Sequence, residues 1–287
     1  MSITVDAERH VAPVRTATRR KRSARRPSTF WRIRDEIPPR LRLPLVVISI
    51  LMPLAIWVAL DLSGQVSDIF LPSPFKVLTA GREMVASGQL QGDTYTSVRR
   101  VAIGFGIALL ISIPLGLAMG TFKSIEALFE PAIGIIRYMP ATAFIPLLLI
   151  WMGLGESPKI ALIVIGTVFF NTLMTANVVW QVPAELIKVS RTLGADAWTV
   201  FRKVIFPYAV PGVIDAARVN LAAAWNLIVV AELLAADKGL GFRITRAQRF
   251  LHIDQIFVVL IVIGVLGVAT DIALRAVRNR VAPWSQE

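Results

Sequence analysis

The 287-residue chain contains no cysteine and only two histidines, His10 and His252. The first absence removes disulfides, thiolate nucleophiles and cysteine metal sites. The second leaves too few imidazoles for a His-rich metal centre or a His-based catalyst inside a membrane. The patterns G-x-x-x-x-G-K-[ST], G-x-S-x-G and H-E-x-x-H are absent as well. There is therefore no phosphate-cradling loop, no nucleophile elbow and no zinc-hydrolase helix. Acidic residues are scarce, 19 against 31 Lys and Arg, for a net charge of +12. These residues predict no cofactor, no metal and no enzyme activity.

What the chain has in abundance is apolar surface. Hydrophobic residues make up 55% of it and mean hydropathy is +0.64. They fall in blocks of about 20, long enough at 1.5 Å per residue to cross a hydrocarbon core of roughly 30 Å. The fold class read from this is an all-α integral membrane protein, a bundle of about six transmembrane helices. Spans are expected at 44–60, 98–119, 129–152, 159–180, 210–235 and 255–276, within one membrane domain covering 44–280. Leu71-Pro72-Ser73-Pro74 marks a turn. Phe75, Leu78 and Met84, with charges between them, mark a short amphipathic helix on the membrane surface. Pro53, Gly104, Gly106, Pro114, Gly116, Pro140, Pro146 and Gly166 fall inside the spans, where small residues permit close approach and prolines kink helices.

Residues 1–43 hold twelve Lys and Arg against four Asp and Glu, eight of the net positive charges. A run such as Arg19-Arg20-Lys21-Arg22 can bind nucleic acid. With apolar spans following directly, a disordered cytoplasmic tail lying on anionic membrane lipid is the expectation, with no nucleic-acid partner. No small-residue cleavage site follows a short apolar region, so no cleaved signal is expected. Six spans place both termini on one side. Apart from the tail, loop Lys and Arg divide seven against seven. The tail therefore decides the orientation: N- and C-termini cytoplasmic, with 281–287 a short second cytoplasmic tail.

The most informative stretch is 181–208, placed by this topology at the cytoplasmic face. Pro183 suits a first helical turn, and Leu186, Val189 and Leu193 form an apolar stripe. Gly194 breaks the helix. A second amphipathic helix follows, with Ala197, Trp198, Phe201, Val204 and Ile205 apolar, until Pro207 stops it. Two short amphipathic helices joined by a glycine form an elbow suited to a groove in a soluble partner. This stretch resembles the EAA motif of permeases of binding-protein-dependent ABC importers, E-A-A, three residues, G, nine residues, I-x-L-P. Gly194 matches the glycine, Val204 the isoleucine, Phe206 the leucine and Pro207 the proline. Lys188, Val189 and Ser190 stand at E-A-A, so the acid is missing there, and Glu185 lies one turn earlier. Leu71-Pro72-Ser73-Pro74, Ser97-Val98-Arg99-Arg100-Val101 with Gly104-Phe105, Arg137-Tyr138-Met139-Pro140, Ile145-Pro146-Leu147, Trp151-Met152-Gly153-Leu154-Gly155-Glu156 and Gly239-Leu240-Gly241-Phe242 resemble the nitrate/sulfonate/taurine/bicarbonate branch of that family, over about residues 70–280.

The resemblance implies a bacterial inner-membrane permease that works as a homodimer on two ABC ATPase subunits. It implies a small anion delivered by a periplasmic binding protein. It also makes Glu185, Lys188, Gly194, Ala195, Trp198, Phe201, Val204, Phe206 and Pro207 the ATPase-coupling loop. Polar residues within spans are the candidates for the translocation path, because burying them in hydrocarbon is expensive. Arg137 can attract an oxyanion or bond to backbone freed by Pro140. Asn171 and Asn226, near mid-membrane, can line a pore or join helices. Glu232, near the outer end of span five, suits gating or pairing with Arg243 or Arg246. Asp215 with Arg218, and Asp271 with Arg275, have the spacing of helical ion pairs. The outer loop at 236–254, with Lys238, Arg243, Arg246 and Arg249, can form a docking rim for an acidic receptor surface, steer anions inward, or be an ordinary solvated loop. The rival reading is a secondary transporter without an ATPase partner; it leaves the elbow unexplained, and no clear inverted repeat supports it.

Overall fold

The computed structural model describes residues 37–285, and all regular structure in them is helical. The tail expected at 1–43 lies mostly outside the described residues; the chain is already helical at Pro39. Two compact units divide at Ala55 and Ile56. The described part of the first is the opening of α1 (Pro39–Leu62). Its Leu43, Ile48, Ile50, Leu51 and Leu54 are all exposed, an apolar surface suited to lipid.

The second unit contains α2 (Pro74–Ala86), α3 (Gln89–Thr121), α4 (Lys123–Ile136), a 3-10 turn (Ala141–Phe144), α5 (Ile145–Met152) and α6 (Ser157–Trp180). It continues with α7 (Ala184–Thr192), α8 (Ala197–Val200), a π turn (Phe201–Ile205), α9 (Phe206–Ala235), α10 (Leu240–Arg249), α11 (Ile253–Val281) and a last 3-10 turn (Pro283–Ser285). Five stretches are long and apolar enough to cross a membrane: Arg40–Leu62, α3, α6, Ala197–Leu234 and α11. The third expected span is not continuous. α4 and the stretch Ala141–Met152 meet at an 80° bend and make a sixth crossing only as a pair. Pro140 stands at the break in an extended conformation. Its ring fixes φ and offers no N–H, so the helix cannot run through.

α3 and α6 run in the same direction as the central pair. A Cβ added to Gly104 would press on Ile160 and Ile163; one on Gly116 would press on Thr172 and Thr175; one on Gly120 would overlap Val179. The register advances together along both helices, and small residues let the two backbones nearly touch. Gly106, expected to share in this, faces open space. α9 crosses α6 in the opposite sense, with Leu227 at Gly166 and Gly212 at Val178. Val101, Phe105, Leu162, Ile163, Leu221, Trp225 and Ile228 fill the space among the three.

The amphipathic helix expected after Pro74 is present as α2, with Ser73 Oγ accepting the Lys76 N–H at 3.2 Å. Its inward stripe is Val77, Ala80 and Met84. Of the apolar residues that marked it in sequence, Met84 is buried, whereas Phe75 and Leu78 point outward. The outer loop expected at 236–254 contains a helix, α10, whose Leu240, Gly241, Arg243 and Ala247 are buried.

Candidate functional site

Two polar assemblies lie at opposite ends of the bundle. The first is the elbow that joins the end of α6 to the start of α9. α7 closes at Gly194, whose φ is +83°. The Gly194 N–H donates to the Arg191 carbonyl at 2.9 Å, and the Ala195 N–H to that of Ser190 at 3.0 Å. That pair of bonds is the Schellman closure, which favours glycine because other residues resist the left-handed region. Asp196 then caps the next helix, its Oδ1 accepting the Thr199 N–H at 3.1 Å. Hydrogen bonds from Thr199 hold the Asp196 carboxyl below the usual carboxylate range. A C-cap and an N-cap thus stand back to back, which fixes the angle of the elbow.

Inside the elbow, Val182, Val200 and Ile205 pack with Leu117, Val179, Ala209 and Val213, and Ile187, Ala195, Phe201 and Val204 lean on them. The stripe Leu186, Val189 and Leu193 faces outward, Leu193 being 82% exposed. Glu185 and Lys188 are exposed on the same helix. Trp198 is also exposed and stacks on Phe201 at 5.6 Å. One expectation fails here: Pro207 does not stop a helix. The helical path continues from Ala197 through Leu234, and Pro207 sits in the first turn of α9 just after the π turn. The Phe206 N–H reaches back five residues to Phe201. This wider turn makes room for a proline ring that would otherwise strike the carbonyl four residues earlier.

The second assembly lies at the other end, where α3 begins and α9 ends. Glu232, buried to 1% exposure, accepts from Arg100 Nη1 at 2.8 Å and from the Gly241 N–H at 2.9 Å, with Ser97 Oγ 2.8 Å from both carboxylate oxygens. Arg100 Nη1 also reaches the Lys238 carbonyl at 2.7 Å, while Nε and Nη2 grip Glu156. The grip of Arg100 holds the Glu156 carboxyl below the usual range. Asp93 accepts the Gly239 N–H at 2.9 Å and Arg243 Nε at 2.7 Å, and the Leu240 N–H donates to Ser97 Oγ at 2.9 Å. The N–H groups that open α10 are therefore taken by two carboxylates and a hydroxyl, the groups a helix N-terminus favours. Gly239 has φ +119°, and a side chain there would overlap the Glu232 carboxylate. With every charge paired, the cluster offers no free base and no nucleophile; it pins α3, α6, α9 and α10 together. Glu232 thus pairs with Arg100, not with Arg243 or Arg246, and Arg243 is buried on Asp93 instead of standing on a rim. Arg246 and Arg249 remain exposed.

The other path candidates separate by exposure. Asn171 is buried on α6, and neither of its amide atoms has a partner among the described residues. Ser112 Oγ on α3 is likewise buried and unpartnered there, and the glycine register sets it beside Val168–Asn171. Asn226 is exposed and donates to the Ala222 carbonyl at 3.1 Å. Arg137 is exposed at the 80° break, with its Nη2 donating to Tyr138 Oη at 3.1 Å and its guanidinium 4.9 Å from that ring. Among the described residues it bonds to this phenol and not to backbone freed by Pro140. The expected pair Asp215–Arg218 forms at 2.8 Å, and Asp271 binds Arg275 at 3.3 Å and Arg218 more closely at 2.9 Å.

Asp93, Ser97, Arg100 and Glu156 escaped the sequence reading as a site. Most of them lie in stretches singled out by resemblance, but sequence gives no sign that those stretches meet. Comparison with known proteins gives a consistent outcome. A family described as binding-protein-dependent transport system inner membrane component matches residues 112–283. A probable ABC transporter permease protein of Brucella abortus is 37% identical over 230 residues, covering 80% of this chain and 91% of its own. The taurine transport system permease protein of Escherichia coli is 33% identical over 82% of this chain and 87% of its own, and the nitrate import permease protein of Synechocystis is 30% identical over 95% and 98%. A solved inward-facing MetNI methionine ABC transporter superposes with a TM-score of 0.60 at 20% identity, over 67% of this chain and 95% of that one. At that identity the likeness speaks for the fold.

Proposed function

Since the chain belongs to the family of binding-protein-dependent transport system inner membrane components, we propose that it conducts a small anion of the nitrate, sulfonate, taurine or bicarbonate type. It is the permease component of an ABC importer in the nitrate/sulfonate/taurine group, a multi-pass inner-membrane protein without an ATPase site. Membership implies ATPase and binding-protein partners.

Arg137 carries the anion reading. It is exposed at the break between α4 and α5, and among the described residues it forms no ion pair. Ala141, four residues past Arg137, and Leu227, next to the exposed Asn226, both abut Gly166, which supports a shared level for the two side chains. A guanidinium keeps its charge at any working pH. Inside a bilayer it needs water or a counter-ion. An oxyanion passing between two copies of the chain supplies that, with Asn226 offering further hydrogen bonds.

In this reading the elbow and both termini face the cytoplasm, and the Arg100–Glu232 cluster lies at the outer face. Leu186, Val189, Leu193 and Trp198 dock in a groove of the ATPase subunit, and its closure on ATP moves the elbow as a lever. The bundle then switches between two packings open to opposite sides. The test is anion uptake by proteoliposomes holding the permease, its ATPase and its binding protein. R137Q should lower uptake about tenfold or more, the equivalent of ~1.4 kcal/mol. Assembly and basal ATPase should persist, and R137K should recover part of the loss. Undiminished uptake by R137Q defeats the proposal.

A further inference from the structure

A groove of about 490 Å³ opens where α2 and the start of α3 lie against α11. Its lining is almost wholly apolar, chiefly Val77, Val85 and Leu90 on one side and Val258, Ile261 and Val262 on the other. Gly81 forms the floor: a Cβ there would come 3.5 Å from Val258. At Gly81 α2 and α11 are therefore within van der Waals reach, and a larger side chain there narrows the groove from the α2 side. α2 has already spent its inward stripe, Val77, Ala80 and Met84, on Leu240, Val258 and Val259. Beside the groove, Leu78, Leu260 and Val265 are exposed, so it opens onto an apolar belt. Arg82 stands within the lining, is exposed, and forms no ion pair among the described residues.

An apolar slot on a membrane-spanning helix with one unneutralised guanidinium has the chemistry of a bound phospholipid. We propose that this groove holds one acyl chain of a phospholipid, with the lipid phosphate on Arg82. The volume is in the range of small-molecule sites, roughly 300–1,000 Å³. A guanidinium binds a phosphate through two parallel charge-assisted hydrogen bonds. The acyl chain covers the apolar walls that α2 leaves open. The lipid acts as a wedge between the surface helix and the bundle. Its presence does not depend on which solute crosses the membrane or on Arg137.

The test uses the permease–ATPase complex in proteoliposomes containing phosphatidylethanolamine with a photoreactive diazirine midway along one acyl chain. After illumination, adducts should concentrate on peptides carrying 77–90 and 258–262. R82Q, at an exposed position, should lower that labelling about threefold, the size expected of one exposed ion pair. G81L, which narrows the groove, should lower it as well while melting temperature and assembly persist. Labelling spread evenly over the apolar belt, or unchanged in R82Q, overturns the proposal. A second copy seated on the groove would overturn it as well. Because the chain has no cysteine of its own, an I261C variant reports that outcome directly as a disulfide-linked dimer.

Discussion

Replacing Gly194 by alanine separates the backbone role of the elbow from general stability. Gly194 has φ +83°, and a Cβ at that position meets nothing within 4 Å. The cost is therefore backbone alone, about 1–2 kcal/mol for holding a non-glycine residue in the left-handed region. Gly88 offers a matched control, with φ +73° and equally open surroundings, but it lies between α2 and α3, far along the chain from the elbow. G194A and G88A should each lower the melting temperature by roughly 2–8 °C, at about 2–4 °C per kcal/mol for a domain of this size. Their functional effects should differ. Relief of strain at Gly194 opens the bonds to Arg191 and Ser190 and changes the angle between α7 and α8. A distortion of one or two kcal/mol shifts an equilibrium by a factor of about 5–30. ATP hydrolysed per solute molecule imported should rise at least about fivefold in G194A and stay at the wild-type value in G88A. The assay is simultaneous phosphate release and uptake in proteoliposomes. Equal ratios for the two variants, with equal ATPase assembly, would refute the lever.

E232Q removes one of the two carboxylates on the buried Arg100 and leaves Glu156 in place; it should lower the melting temperature, at a cost below the about 3–5 kcal/mol of an uncompensated buried charge. G120V drives a side chain into Val179 and should destabilise by about 1–3 kcal/mol or more. G106A, facing open space, should stay within about 0.5 kcal/mol of wild type; thermal shift measurements compare the two. Arg100, then Lys159 and Arg99, act on Glu156 to hold its carboxyl low. The stability it contributes is therefore present above the ordinary carboxylate range near ~4.3. It fades as pH falls through the lower folded-state value. The small melting-temperature gap between wild type and E156Q should shrink in that acid window, and a gap that widens there contradicts the assignment.

The sequence by itself determined the class of this protein. Apolar blocks of spanning length can satisfy backbone hydrogen bonds in lipid only as helices, so the spans were legible from hydropathy. Gly194 was legible as a break because glycine tolerates the left-handed region, and its spacing to Pro207 carried the resemblance. Proline was less reliable: Pro140 broke its span, whereas Pro207 was absorbed by a π turn, and only the local winding separates the two outcomes. Tertiary structure alone decided partners and facing. Hydropathy assigns depth along a helix but not the direction a side chain points. Asn171 and Asn226 therefore looked alike in sequence, yet one is buried against α3 and the other is exposed. The buried cluster joins Asp93, Arg100, Glu156, Glu232 and Arg243, which are up to 150 residues apart in the chain. A guanidinium at the head of a span must find an acid, but which acid depends on how α3, α6 and α9 cross.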